Sequence, residues 1–227
     1  MYDEKLEKLY QSKIEGLKFI ENSQKELDGP LLMSCWDDLY EKADIKLLII
    51  GQENFGWWGE KTSDIGGLME IYTDFCMALN YHNRKSWFWQ GVFKLNGLLN
   101  PKLANEPCFL WTNVSKYCTW EGGPISWNDH KFVIENFNIL PDEIDVLKPD
   151  AVIFLSGPHY DDKIKIQFDE NLVFEQINNN ISVRELAKIK HPKLPNHTYR
   201  TYHPRYLNFQ NKLVYLTTIA SLIKETA

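Results

Sequence analysis

Ile45-Lys46-Leu47-Leu48-Ile49-Ile50-Gly51-Gln52-Glu53-Asn54-Phe55-Gly56-Trp57-Trp58-Gly59 is the stretch that decides the fold. Its apolar residues run almost unbroken and stop at a glycine. A run that short, apolar on both faces, reads as a buried strand of a parallel sheet. Beyond its end lie a carboxylate (Glu53), two amides (Gln52 and Asn54), three aromatic rings and several glycines. In open α/β sheets, ligands bind outside the carboxyl ends of the strands. The loop after Gly51 is therefore the first place to expect a site.

Working outward, the same kind of segment recurs. Cys108-Phe109-Leu110-Trp111-Thr112-Asn113 is a second short apolar run ending in a polar residue, and Ala151-Val152-Ile153-Phe154-Leu155-Ser156-Gly157 is a third. Residues 171–177 read as a weaker fourth strand. His197-Thr198-Tyr199-Arg200-Thr201-Tyr202 alternates, is β-prone and stops at His203-Pro204. Between these runs the apolar spacing is helical. It predicts an amphipathic helix over about 3–27, a short one over 33–43 with Ser34 as a cap, and others over 68–80 and 87–99. Two more are expected over 128–147, broken at Pro141, and over 207–223. Ser156-Gly157-Pro158-His159 reads as a tight strand-to-helix turn. Strands that alternate with helices predict an α/β fold: a three-layer α/β/α sandwich around a central, mainly parallel sheet of about four strands. We expect a single domain over 1–227, with 1–43 as an N-terminal helical part.

The chain of 227 residues carries a formal charge of -6 at pH 7, with an isoelectric point near 5.6, so it has no global pull toward nucleic acid. A nucleic-acid contact would need a local basic patch. Lys188, Lys190, His191, Lys193, His197, Arg200 and Arg205, near the C-terminus, make either that patch or a solvated, positively biased loop. Cys35, Cys76, Cys108 and Cys118 lack the close pairing of a zinc or iron–sulfur site and read as reduced, mostly buried thiols of an intracellular, cytoplasmic protein. The N-terminus has no apolar signal core, and no stretch approaches the length of a membrane span. There is no phosphate-loop motif, no dinucleotide fingerprint and no nucleophile elbow.

Three strand ends carry polar residues: Gln52-Glu53-Asn54, then Asn113, then His203-Pro204. A parallel sheet sets such ends on one rim, so they can converge despite their separation in sequence. In order, Gly51-Gln52-Glu53-Asn54-Phe55, Leu110-Trp111-Thr112-Asn113 and His203-Pro204-Arg205-Tyr206-Leu207 resemble the three motifs of the uracil-DNA glycosylase superfamily. The segment 147–157 also looks like that family's strand before its third helix.

The resemblance implies hydrolysis of the N-glycosidic bond of uracil or another damaged base in DNA, without metal or cofactor. Breaking that bond develops positive charge on the sugar and negative charge on the base. Glu53 falls at the family's catalytic Asp position, where a carboxylate stabilises the cation or orients water. His203 falls at the motif histidine, which donates to the leaving base. Asn113 matches the base-reading Asn, whose amide offers both a donor and an acceptor. Gly51, Gln52, Asn54 and Phe55 complete the first motif. Leu207 matches the intercalating Leu, or is the first core residue of the closing helix. Arg205 either touches a phosphate or blocks the groove. Phe55, Trp57 and Trp58 compete as the ring that stacks on a base.

Two departures stand out. Asn54 replaces a Pro, which frees φ and restores a backbone donor. Arg205 and Tyr206 replace small residues. These departures and the acidic balance favour an alternative reading, a catalytically inactive module of the same fold that binds nucleic acid, a nucleotide or a protein partner. DNA is the partner that the resemblance implies, met through the C-terminal basic patch; the oligomeric state stays open.

Overall fold

The computed structural model describes residues 2–24, 26–35, 38–54, 56–57, 64–81 and 85–225, the side chains of 77–81 apart. Phe55 and Trp58 lie outside these residues.

The chain opens with helices α1 (Tyr2–Ser12) and α2 (Ile14–Ser23), a two-residue strand β1 (Leu27–Asp28) and a single helical turn α3 (Leu39–Lys42). The expected strand follows as β2 (Leu47–Gly51), with every residue buried. Helices α4 (Ile65–Tyr81) and α5 (Trp87–Leu99) lead to β3 (Phe109–Asn113), and β4 (Cys118–Thr119) pairs back with β1. Then come α6 (Trp127–Phe137), α7 (Leu140–Leu147), β5 (Ala151–Phe154), α8 (Asp161–Phe168), β6 (Val173–Gln176), β7 (Leu186–Lys190), β8 (His197–Thr201), α9 (Pro204–Phe209) and α10 (Val214–Lys224).

The result is an α/β fold around a mixed six-stranded sheet in the order β3-β2-β5-β8-β7-β6. The first four of these strands are mutually parallel, and β7 and β6 add on antiparallel. Where about four strands were expected there are six: the runs at 45–51, 108–113, 151–157 and 197–202 supply the four parallel ones, 171–177 holds the antiparallel β6, and β7 is unanticipated. Leu186-Ala187-Lys188-Ile189-Lys190 sets two lysines among three apolar residues, and the lysines draw the eye to charge rather than to a partly buried strand.

Because β3 lies on one side of β2 and β5 on the other, the strand order reverses at β2. A crevice opens outside the carboxyl ends of the strands at such a point. Leu47, Leu48, Ile49 and Ile50 are all fully buried. Each such side chain contributes about 1.5–3 kcal/mol relative to an exposed one, so the strand that carries the site loop is firmly anchored.

The helices pack in two sets. One set is α5, α9 and α10; the other is α1, α2, α4, α6, α7 and α8. Several helix boundaries differ from expectation. The N-terminal helix breaks at Lys13, and Leu27-Asp28 is strand rather than helix. Residues 29–35 are not helical; the Ser34 hydroxyl, expected as a cap, donates instead to Asp3 Oδ1 at 2.9 Å. Pro141 is the second residue of α7, where its missing N–H costs nothing, and the break falls before it at Asn138-Ile139. The closing helix divides into α9 and α10. Among the described residues, no helix is long and apolar enough to cross a membrane. All four cysteines are buried thiols, none of them in a disulfide.

Candidate functional site

The parallel register fixes where the three polar strand ends go. Gly51 pairs with Asn113 across β2 and β3, and β8 runs parallel to β5 on the other side, delivering His203 to the same rim. Gly51, Gln52, Glu53, Asn54, Asn113 and His203 all line one cavity of about 600 Å³. Its remaining wall is mostly aromatic: Trp57, Phe75, Phe88, Trp89 and Trp111. That volume is in the range of small-molecule sites, as is a mostly apolar wall with a few convergent polar groups.

Gly51 is glycine for a steric reason. A Cβ there would overlap the Asn113 amide oxygen and touch the Phe88 ring. Gln52 crosses the rim and donates from Nε2 to the Ser156 carbonyl at 2.8 Å. Asn54, where a fixed φ is lost, is buried and takes a bridging part. Its Nδ2 donates to the Lys116 carbonyl at 3.0 Å, which leaves its Oδ1 to accept from Asn113 Nδ2 at 2.6 Å. Turning the Asn113 amide over would gain contacts to the Thr112 carbonyl and the Asn54 backbone N–H. It would also set two amide oxygens 2.6 Å apart, so the Asn113-to-Asn54 donation prevails.

Lys116 is itself part of a buried network. Its ammonium lies 2.6 Å from Glu143 Oε2 and also bonds Thr112 Oγ1. Tyr10 donates to the other Glu143 oxygen at 2.9 Å. Burial pulls the Lys116 ionisation down and the Glu143 carboxylate opposes it.

His203 caps α9. Its Nδ1 accepts the Arg205 backbone N–H at 3.1 Å, so its proton sits on Nε2. Burial, with the nearby Arg205 charge second, lowers its ionisation below the ordinary histidine value. The ring is therefore neutral at pH 7 and a hydrogen-bond donor. It stacks on Phe88, centroids 5.5 Å apart at 26°. Gly91 brings this about: a Cβ there would come within 2.6 Å of the Pro204 side chain, so glycine lets α5 lie against α9.

Glu53 is half-buried and its Oε2 accepts from the Tyr160 hydroxyl. Tyr160 stands in the short 3-10 turn Pro158–Tyr160, after Gly157 at φ 75°, as the tight turn in the sequence leads one to expect. His159, in the same turn, is exposed.

Other expected residues fall elsewhere. Leu207 is fully buried in the core and does not line the cavity, so it is the core residue of the closing segment and not a wedge. Arg205 is exposed with its guanidinium over Phe209, off the cavity wall. The basic patch does not form beside the cavity. Arg200 is buried, with Nε and Nη2 each 2.9 Å from an Asp161 carboxylate oxygen. Lys190 pairs with Glu175 at 2.7 Å, and Lys188 donates to Asn196. His191 is buried and bonds Asp169. Since β7 is antiparallel to β8, Lys190 lies toward the His197 end of β8, the rim opposite His203. Among the described residues, no group of three or more His, Cys, Asp or Glu side chains could hold a metal ion.

Of the candidate stacking rings, Trp57 lies in the wall. Its backbone N–H donates to the buried Asp28 carboxylate at 2.5 Å, and its ring meets Trp111 edge-on at 5.8 Å. The wall residues Phe75, Phe88, Trp89 and Trp111 escaped the sequence reading because they sit inside helices and a strand, where rings read as core. The Trp87-Phe88-Trp89 run at the first turn of α5 was the one available sign.

No family model, no curated protein and no solved structure matches the chain.

Proposed function

We propose that this chain hydrolyses N-glycosidic bonds, with uracil or another damaged base in DNA as the leaving group, and that its fold is the three-layer arrangement of the uracil-DNA glycosylase superfamily. One observation carries this reading: a carboxylate, an amide and a neutral histidine come from three strand ends to one aromatic-walled cavity. Glu53 stabilises positive charge on the sugar or orients water. Asn113 reads the edge of the base. His203 donates from Nε2 to the oxygen on which negative charge develops. A neutral ring can do this by hydrogen bonding alone, with Nδ1 still accepting the Arg205 N–H. The aromatic wall takes an unstacked base, and a base can enter only once it leaves the helix.

The test is release of free base from single- and double-stranded DNA carrying uracil or other damaged bases, and from the corresponding nucleosides. Release by folded protein supports the proposal; no release from any of them refutes it. A second reading draws on the Asn54–Asn113 contact, which spends part of the base-reading amide, and on the lysines of the far rim. It makes the chain a non-catalytic module of the same fold that binds nucleic acid, a nucleotide or a protein partner. Saturable binding of a heterocycle or oligonucleotide without turnover is its signature.

A further inference from the structure

Glutamate is one methylene longer than the aspartate that the proposed chemistry uses elsewhere. A long side chain on a loop must be fixed before it can face a reacting atom, because a misplacement of about 1 Å costs roughly a hundredfold in rate. The structure supplies a post. Gly157, at φ 75°, turns the chain sharply after β5 and packs against Tyr202. Tyr160 closes that turn, its backbone N–H donating to the Gly157 carbonyl at 3.2 Å. The Lys163 ammonium lies 5.2 Å from the centroid of the Tyr160 ring and is tethered to the Ile125 carbonyl at 3.1 Å. The phenol is thus held from two sides, and its hydroxyl meets Glu53 Oε2.

We propose that Tyr160 is a positioning residue for Glu53: it takes one carboxylate oxygen and leaves Oε1 for whatever occupies the cavity. The inference rests on the reading of Glu53 as the carboxylate of the proposed hydrolase. Tyrosine suits this part. It has only two side-chain torsions, so little entropy is lost in holding it, and a hydroxyl bonded to a carboxylate makes one of the stronger hydrogen bonds. Burial, then the Glu53 carboxylate, keeps the phenol protonated and hence a donor. Lys163 sets a cation over the face of the same ring, and burial is the larger influence on its own ionisation, with the Glu53 carboxylate opposing it.

The test pairs an activity with a spectroscopic readout. In protein labelled with 13Cζ-tyrosine, with Tyr160 assigned from Tyr160→Phe, the Tyr160 resonance should move as a carboxyl group titrates at acidic pH. That step should vanish in Glu53→Gln. A Tyr160 resonance that follows the same course in both proteins overturns the proposal, whether or not the protein is an enzyme. Where base release is seen, Tyr160→Phe should lower kcat roughly ten- to a hundredfold with KM unchanged. The double variant Tyr160→Phe/Glu53→Gln should be no slower than Glu53→Gln alone, since both changes remove one device. An unchanged kcat in Tyr160→Phe, or losses that multiply in the double variant, overturns it. If no substrate is turned over, the hydrolase reading fails by itself, and the resonance still decides whether Tyr160 holds Glu53.

Discussion

A histidine whose Nδ1 accepts a backbone N–H can keep its one remaining proton only on Nε2, and His203 is so bound by Arg205. Replacing it with Ala removes a donor that water cannot replace at a fixed position. We expect base release to fall by roughly 10²–10³-fold, measured as single-turnover rate, with the melting temperature lowered by only a few degrees for the lost cap of α9. A second histidine makes a prediction about stability. His130 is buried between Ser115 Oγ at 3.0 Å and the Lys163 carbonyl at 3.3 Å. Burial lowers its pKa from 6.5 to about 4. Between those values the unfolded chain binds the proton and the folded one does not. Stability therefore rises with pH through this window and is lost as pH falls from 6.5 toward 4. The loss attributable to this residue is on the order of 3 kcal/mol. Urea unfolding from pH 7 to 4 should show it, and His130→Gln should flatten the slope in that window.

At the scale of elements, the contact between α5 and α9 sets the pocket wall. A glycine in mid-helix usually costs stability, so Gly91→Ala on propensity alone would gain about 1 kcal/mol. Here the added Cβ would lie 2.6 Å from the Pro204 side chain. We expect a net loss instead, about 1–3 kcal/mol of overpacking in denaturant unfolding, together with weaker ligand binding as Phe88 and His203 part. What the sequence discloses about elements follows the same physics. The strands β2, β3 and β5 are plain because they are buried on both faces and nearly all apolar. Strand β7 is hidden because its apolar residues are only three, Leu186, Ala187 and Ile189, and two lysines interrupt them. The N-terminal and closing helices read as longer than they are, since Lys13 and the 210–213 turn carry neither Gly nor Pro to mark the break. The ring wall of the site is hidden for a different reason: a Phe or Trp on a helix is far more often core than lining.

For the molecule as a whole, the N-terminal helices are part of the site's foundation. Leu6, Tyr10, Leu17 and Ile20 belong to the same core as β2. Tyr10 reaches Glu143 on α7, Glu143 holds Lys116, and the Lys116 carbonyl holds Asn54. Glu143→Ala would strand a buried ammonium, and we expect a loss of about 3–5 kcal/mol in unfolding free energy. This network joins residues more than a hundred positions apart, and no pattern in the sequence announces it. The convergence of Glu53, Asn113 and His203 was legible, because parallel strands must end on one rim. The clamp from Tyr160 and the fate of Leu207 were not, because they depend on side chains meeting across elements whose spacing the sequence does not set. The most direct measurement is the single-turnover release of uracil from a single-stranded oligonucleotide by the intact chain and by its Asn113→Ala variant. The proposed hydrolase releases uracil, and the variant does so at least a hundredfold more slowly, on the scale of losing one oriented amide. Equal rates for the two proteins, or no release by either while the oligonucleotide still binds, would contradict it.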